Sequence, residues 1–370
     1  MTVRILTGDV RAVLPSLPDG SVHCCVTSPP YWGLRSYLPT EHPGKHLEIG
    51  SEPTLQEWVG TMVEVFREVR RVLRPDGTLW LNLGDAYAGG GRGGNVGGSS
   101  TLEGSQSSQD ACPRSRDQVS SAQRENCPAV VGRRAGGGLK PKDLMGQPWR
   151  VAFALQADGW WLRQEIIWDK NNPMPESVRD RCTKSHEHVF LLTKSERYWF
   201  DADAIAEPCS ESTHARLSQD VQSQLGSARA NGGNKANGNM KAVTRGVGWG
   251  HGTDAEQRHR GRVKNNASFD AAMAIMPATR NKRSVWRIPT EGFSGAHFAT
   301  FPTKLVEPCI LAGCPEGGTV LDIFGGSGTT GMVADRHHRN AILIDLDERN
   351  RPMATDRIIG DAPLFAEVTT

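Results

Sequence analysis

The residues best equipped for chemistry stand in two short runs, far apart in the chain. The first is Val26-Thr27-Ser28-Pro29-Pro30-Tyr31-Trp32. Two consecutive prolines fix φ and hold the backbone extended and stiff. Carbonyls in such a segment have no helix or ladder partner, so they stay available to accept hydrogen bonds from a bound molecule. Ser28 adds a hydroxyl, and Tyr31 and Trp32 add aromatic faces; the plain structural alternative is a strand-to-loop turn with core aromatics. The second run is Leu321-Asp322-Ile323-Phe324-Gly325-Gly326-Ser327-Gly328-Thr329-Thr330. Here an apolar strand pattern ends in an acid and a glycine-rich turn, and a helix begins at the threonine pair. Glycines allow close backbone approach to a ligand, and a helix N-terminus presents free N–H groups. About twenty residues on, Asp345 ends another apolar run, where an acid can accept both hydroxyls of a ribose. A phosphate-gripping loop would need Gly-Lys-Ser/Thr and this one has no lysine, which favours a nucleoside held without a phosphate grip.

Both runs need strands to carry them. Val3 to Leu6 and Val22 to Thr27 are short β-rich stretches, and Thr78 to Leu83, Trp161 to Trp168, His188 to Thr193, Thr319 to Phe324 and Ala341 to Leu346 bring the strands to seven. Leu55, Trp58, Val59, Met62, Phe66, Val69 and Leu73 fall at helical spacing, with Thr54 and Glu57 as a capping box and Pro75-Asp76-Gly77 as the stop. Asp143 is placed to cap a helix over Leu144 to Gln156, and further helices are expected from about Thr329 and up to about Ile359. Alternating strands and helices predict an α/β fold with a mostly parallel sheet, whose strand C-terminal ends carry the ligand site.

Composition narrows the class. The chain has 370 residues, suited to one large domain or two, with 41 Gly and 22 Pro. The glycine is concentrated. Seven of the ten residues from Gly89 to Gly98 are Gly, Ser, Gln and Gly dominate on to Gly138, and a second such stretch runs from Ser210 to about Asn266. Such segments bury too little apolar surface to offset their ordering entropy and read as flexible insertions. Basic and acidic residues nearly cancel, 43 against 41, which excludes a polycation or an acidic tail but leaves room for a local basic patch. From His214 to Asn266 nine Lys/Arg face three acids. Eight cysteines without a CxxC pair speak against a zinc site or a disulfide scaffold, so no metal is expected. No apolar run spans a membrane and the N-terminus is unlike a signal peptide, so a cytoplasmic protein is expected.

Taken together, Ser-Pro-Pro-Tyr-Trp and Asp-Ile-Phe-Gly-Gly-Ser-Gly-Thr-Thr resemble the S-adenosylmethionine-dependent amino-methyltransferases of DNA, which modify cytosine N4 or adenine N6. The order, catalytic run first and cofactor run near the C-terminus, resembles the permuted beta-type group. Further segments are similar: Thr7-Gly8-Asp9, Leu81-Asn82-Leu83-Gly84-Asp85-Ala86-Tyr87, Trp168-Asp169-Lys170-Asn171-Asn172-Pro173-Met174-Pro175-Glu176, Lys184-Ser185-His186-Glu187, and Ala296-His297-Phe298-Ala299-Thr300-Phe301-Pro302. Ile323 departs from the proline usual there, a swap expected to sit harmlessly in a strand.

The resemblance implies a single Rossmann-like methyltransferase sheet of about seven mostly parallel strands, circularly permuted, with flexible insertions. Residues 1–207 would form the catalytic half with the Gly-rich insertion at about 89–138, residues 208–283 a variable basic target-recognition or linker region, and 284–370 the cofactor-binding half. It implies S-adenosylmethionine as cofactor, held by Asp9, His297, Asp322, Phe324, Gly325, Gly326, Ser327, Gly328, Thr329, Thr330 and Asp345. Ser28, Pro29, Pro30 and Tyr31 would be catalytic. The Ser28 hydroxyl and Pro29 carbonyl would accept hydrogen bonds from the target amine, and Tyr31 would stack on a flipped base. Trp32 belongs either to that pocket or to the core, and Asp9 either to the cofactor or to a helix N-cap.

Double-stranded DNA is the implied partner, contacted by Arg245, Arg258, Arg260, Arg262, Lys264, Lys282 and Arg283. A cognate restriction enzyme, a monomeric or dimeric state, and a bacterial or phage-infected cell belong to the same expectation. Serine at the head of the Pro-Pro-Tyr run leans toward cytosine N4. Adenine N6, a catalytically silent DNA-binding regulator, and methylation of RNA or protein are the alternatives.

Overall fold

A computed structural model describes residues 1–34, 36–88, 138–173, 175–209, 278–291, 301–362 and 367–369. One compact unit comprises Met1–Ala204 with Arg283–Thr370, and a second comprises Ile205–Lys282. The first unit holds a nine-stranded sheet. In chain order its strands are β1 (Thr2–Thr7), β2 (Val22–Thr27), β3 (Leu73–Leu83), β4 (Trp161–Asp169), β5 (His186–Thr193), β8 (Val285–Arg287), β9 (Thr319–Asp322), β10 (Asn340–Asp345) and β11 (Glu367–Thr369). The second unit carries a two-stranded pair, β6 (Glu207–Pro208) and β7 (Thr279–Arg280), bound by Glu207 to Arg280 and Lys282 at 3.5 and 3.6 Å.

The sheet order is β11-β1-β10-β9-β2-β3-β5-β4-β8. Every neighbouring pair is parallel except those of β5, which runs against both β3 and β4. All seven expected strands are present; the sheet exceeds the expectation by β8 and β11, three-residue edge strands too short to show a periodic pattern. From β9 the chain winds toward β10, whereas β2 leads to β3 on the other side. The carboxyl ends of β9 and β2 therefore flank the point where a doubly wound sheet opens a crevice.

Helix α1 spans Val10–Val13, α2 Leu55–Val72, α3 Gln147–Ala157, α4 Thr303–Gly313, α5 Thr329–Arg336 and α6 Asn350–Asp361. The Thr54–Glu57 capping box forms as expected, and α2 buries Trp58, Met62, Phe66 and Val69 completely. Each such side chain contributes roughly 1.5–3 kcal/mol. Strand pleating divides β3 between two faces: Leu79, Leu81 and Leu83 join the α2 core, while Trp80 meets Phe200 and Trp286.

Three local expectations are corrected. Pro75-Asp76-Gly77 does not separate helix from strand. The strand starts at Leu73, opposite Val22, and the register then jumps so that Thr78 faces Cys24. Helix α3 is not capped by Asp143; Asp85 accepts from the N–H groups of Gly146 (3.0 Å) and Gln147 (3.1 Å). Ile323 lies just past the end of β9 and is buried, so its swap for proline falls in a turn packed on the core.

Candidate functional site

A cleft opens along the carboxyl ends of β1, β2, β9 and β10, enclosing about 760 Å³ out to its open mouth. Ser28 and Pro30 line it from β2, Ile323, Phe324 and Gly326 from β9, Asp345 to Asp347 from β10, and Gly8 to Val10 from β1. Tyr37, Leu38 and Leu47 to Ile49 form the facing wall. Buried Glu48 braces that wall by accepting from the backbone N–H groups of Tyr37 and Leu38 and pairing with Lys45 at 2.6 Å. Four of the seventeen lining residues are acids (Asp9, Glu48, Asp345, Asp347) and none is Lys or Arg. That acceptor-rich lining suits a neutral or cationic ligand rich in hydroxyls and amines and disfavours a polyphosphate.

The glycine-rich turn is held from beneath by Asp322. Its buried carboxylate accepts from Thr27 (2.7 Å), Thr330 (2.6 Å) and the Phe324 N–H (3.1 Å). Burial pushes its pKa up to about 6, with the three hydrogen bonds opposing and the Asp345 charge adding. Gly326, Gly328 and Gly331 fall at G-x-G-x-x-G spacing. The third is a close-packing position, since a Cβ there would come within 2.9 Å of Leu343 and 3.1 Å of Val3. Asp345 ties the turn to β10: Oδ2 accepts from Gly326 N–H (2.7 Å), and Oδ1 from Asp347 N–H (2.8 Å) and Asn350 (3.0 Å).

Of the expected cofactor residues, Asp9, Phe324, Gly326 and Asp345 line the cleft. Asp9 is at the same time the N-cap of α1, accepting from Arg11 N–H at 2.9 Å, and pairs with the Arg11 guanidinium. Asp322, Gly325, Ser327, Gly328, Thr329 and Thr330 lie behind the lining. Ser327 and Thr329 are buried and take hydrogen bonds from Arg357 at 2.8 and 2.7 Å. His297, Arg245, Arg258, Arg260, Arg262 and Lys264 lie outside the described residues. Lys282 pairs with Glu207, and the Arg283 carbonyl accepts from the Trp286 indole N–H at 2.7 Å.

The structure corrects one part of the sequence reading of the Ser-Pro-Pro-Tyr run and decides another. The Pro30 carbonyl is not free, because the Trp58 indole N–H donates to it at 3.1 Å. Trp32 belongs to the core: it is 2% exposed, with its indole on the Glu52 carbonyl and its backbone N–H on Gln147. These anchors leave Ser28 at the cleft, and among the described residues no hydrogen bond reaches the Pro29 carbonyl. Behind Ser28 stands a constellation whose members lie in three of the family-like segments, though sequence reasoning assigned them no role and did not show that they meet. Asn82 at the end of β3 directs its amide nitrogen at Ser28 Oγ (3.3 Å), Tyr31 OH (3.3 Å) and Glu187 Oε2 (3.1 Å). The Tyr31 hydroxyl donates to Glu187 at 3.0 Å and lies 3.4 Å from Ser28 Oγ. Glu187 pairs with Lys170 at 2.5 Å, and Lys170 caps the Trp168 ring at 4.4 Å. Burial pushes Glu187 up, but Lys170 and the hydrogen bonds outweigh it and hold the carboxyl below its ordinary range. Burial and the Glu187 charge push the Tyr31 phenol well up, so it stays protonated. Gly84 makes room for that ring, since a Cβ there would lie 2.6 Å from Tyr31 Cε2.

A doubly wound sheet with an acid-lined cleft at the carboxyl ends of its strands, beside a Ser-Pro-Pro-Tyr turn, is suited to a nucleoside-bearing cofactor. Comparison with known proteins specifies it. The DNA methylase family of N6 and N4 methyltransferases matches residues 22–356, and the chain belongs to that family. It is 38% identical over 357 residues to the type II methyltransferase M.Cfr9I of Citrobacter freundii, covering 96% of this chain and 88% of that one. It is 36% identical over 356 residues to M.SmaI of Serratia marcescens, covering 96% and 90%. In fold it is similar to the cytosine-N4-specific PvuII DNA methyltransferase (TM-score 0.51, 15% identity, 100% of this chain and 96% of that one). The same holds for TTHA0409 of Thermus thermophilus, solved in complex with S-adenosyl-L-methionine (TM-score 0.50, 20% identity, 99% and 98%). This chain is thus a DNA methyltransferase. Among the described residues no helix is long and apolar enough to cross a membrane.

Proposed function

We propose that this methyltransferase acts on the exocyclic N4 of cytosine in duplex DNA. The carrying observation is Ser28, a hydroxyl at the cleft backed by Asn82 and Tyr31 and followed by a Pro29 carbonyl. An exocyclic amine is a weak nucleophile because its lone pair is delocalised into the ring. Hydrogen bonds from the amine to Ser28 Oγ and to the Pro29 carbonyl strengthen as positive charge grows on nitrogen, and so favour the transition state over the ground state. The amine is otherwise engaged in base pairing, so the base must leave the duplex to reach Ser28.

The cofactor is S-adenosylmethionine, which supplies an electrophilic methyl group on a sulfonium. The acidic, lysine-free cleft fits that cation and its adenosine. Asp345 suits the ribose hydroxyls, Asp9 the adenosine, Phe324 the methionine and ribose, and Gly326 the close backbone approach. The basic stretch from His214 to Asn266, continued by Lys282 and Arg283, is proposed to contact phosphates. Pairing with a cognate restriction enzyme in a bacterial cytoplasm accords with the type II relatives.

The test is to incubate the protein with tritiated S-adenosylmethionine and unmodified genomic DNA from a methylation-deficient host, digest to nucleosides and identify the labelled one. N4-methyldeoxycytidine is expected; labelled N6-methyldeoxyadenosine overturns the cytosine assignment, and unlabelled DNA overturns the reading altogether.

A further inference from the structure

We propose that Glu187 is a positioning residue that sets the direction of hydrogen bonding through Tyr31, so that Ser28 meets the target amine with a lone pair and not with its proton. The inference rests on the reading of Ser28 as the acceptor of that amine. A serine hydroxyl donates and accepts equally well, and a freely rotating one would spend part of its time pointing its proton at the incoming amine. Something must hold the proton elsewhere.

The geometry supplies the holder. An ionised carboxylate only accepts. With Lys170 at 2.5 Å, Glu187 stays ionised, and the protonated Tyr31 phenol 3.0 Å away must give its proton to Glu187. The Tyr31 oxygen is then an acceptor for its two other neighbours, the Asn82 amide at 3.3 Å and Ser28 Oγ at 3.4 Å. The Ser28 proton is thereby assigned to Tyr31. Asn82 enforces the same direction. Its amide nitrogen, a donor only, faces Ser28, Tyr31 and Glu187 together. The opposite amide face shows what this orientation costs, since Asn82 Oδ1 is buried without a hydrogen-bond partner. Turning the amide over would relieve that atom but set its oxygen against the Glu187 carboxylate, so the carboxylate dictates the orientation. Ser28 is left with one lone pair toward Asn82 and another for the base amine.

The arrangement also explains why the partners come from four places. Tyr31 follows β2, Asn82 ends β3, Lys170 follows β4, and Glu187 opens β5. Because β5 alone is antiparallel to its neighbours, its first turn of chain, and not its last, reaches the carboxyl edge of β2 and β3.

The experiment is a double-mutant cycle on the full chain with Tyr31→Phe, Glu187→Gln and both together. Single-turnover methyl transfer is followed with tritiated S-adenosylmethionine and unmodified genomic DNA, alongside KM for DNA and cofactor affinity. Each single substitution is expected to slow the transfer step by about tenfold, the worth of one hydrogen bond to a charged partner. KM for DNA and cofactor affinity should stay within about twofold, and the double variant should be no slower than the slower single one. Multiplicative losses would show Glu187 acting apart from Tyr31 and overturn the proposal, as would an undiminished rate in Tyr31→Phe. Should Glu187→Gln fail to fold, Tyr31→Phe decides alone: slowed transfer with unchanged KM supports the proposal and full rate overturns it. A parallel Ser28→Ala variant separates the two readings. If it retains full turnover, the role of Ser28 itself fails; if it is inactive while Tyr31→Phe is not, only the role of Glu187 fails.

Discussion

The two walls of the cleft are built on opposite plans. The wall below the glycine-rich turn is stitched mostly from its own neighbourhood: Asp322 reaches Phe324 and Thr330, and Asp345 reaches Gly326, Asp347 and Asn350. The wall around Ser28 is stitched across the sheet, with Asn82, Lys170 and Glu187 arriving from three further strand ends. The first plan yields a backbone cradle that one contiguous segment nearly completes. The second yields a side-chain network in which no segment suffices, so its members stand or fall together.

That contrast can be broken at several points. The largest effect is expected at Ser28, where alanine removes the hydroxyl that the end of β2 presents to the cleft. Turnover should fall by about 10²–10³-fold, in the range of an oxyanion-hole donor, while calorimetric titration shows cofactor affinity retained. Next comes Asp345→Ala, which strips the tie between turn and β10; cofactor affinity should weaken by about 10- to 100-fold, read by the same titration, with the turnover of the saturated enzyme less affected. Asp322→Ala strikes the cradle from beneath and acts on folding. Each buried hydroxyl left unpaired costs about 1–3 kcal/mol, measured as a lower urea midpoint.

The smallest effect is a pH dependence from the same carboxyl group. Asp322 sits at about 6 in the fold against 3.8 ordinarily, because burial disfavours its charge. Between about pH 4 and pH 6 the folded chain therefore binds more protons than the unfolded one, and the Asp322 contribution to stability falls as pH rises. Measured against Asp322→Asn, which does not titrate, wild-type stability should be relatively higher near pH 4.5 than near pH 7. A difference that grows with pH would contradict the buried-acid account.

The same contrast explains what could be read in advance. The two runs at Ser28 and Asp322 were legible because each packs its cues into consecutive residues, and the seven longer strands because apolar runs mark them. Asn82, Lys170 and Glu187 were legible only as members of family-like segments; their meeting at Tyr31 was not, since it depends on β5 running antiparallel to β3 and β4, which no local pattern encodes. Trp32 was ambiguous for a related cause. An aromatic after two prolines suits a pocket or a core, and only the Glu52 carbonyl and Gln147 amide decide the matter. The cap of α3 escaped because Asp85 lies 61 residues from the backbone N–H of Gly146 that it binds.

Reversal of β5 has one more consequence. Lys170 and Glu187 stand at the two feet of the chain between β4 and β5, fastened by their ion pair and by the Lys170 N–H on the Ser185 carbonyl at 2.8 Å. A connection clamped at its base is a cassette. Lengthening it adds little closure entropy. A change in its length therefore costs the fold little while its base stays fastened beside Tyr31.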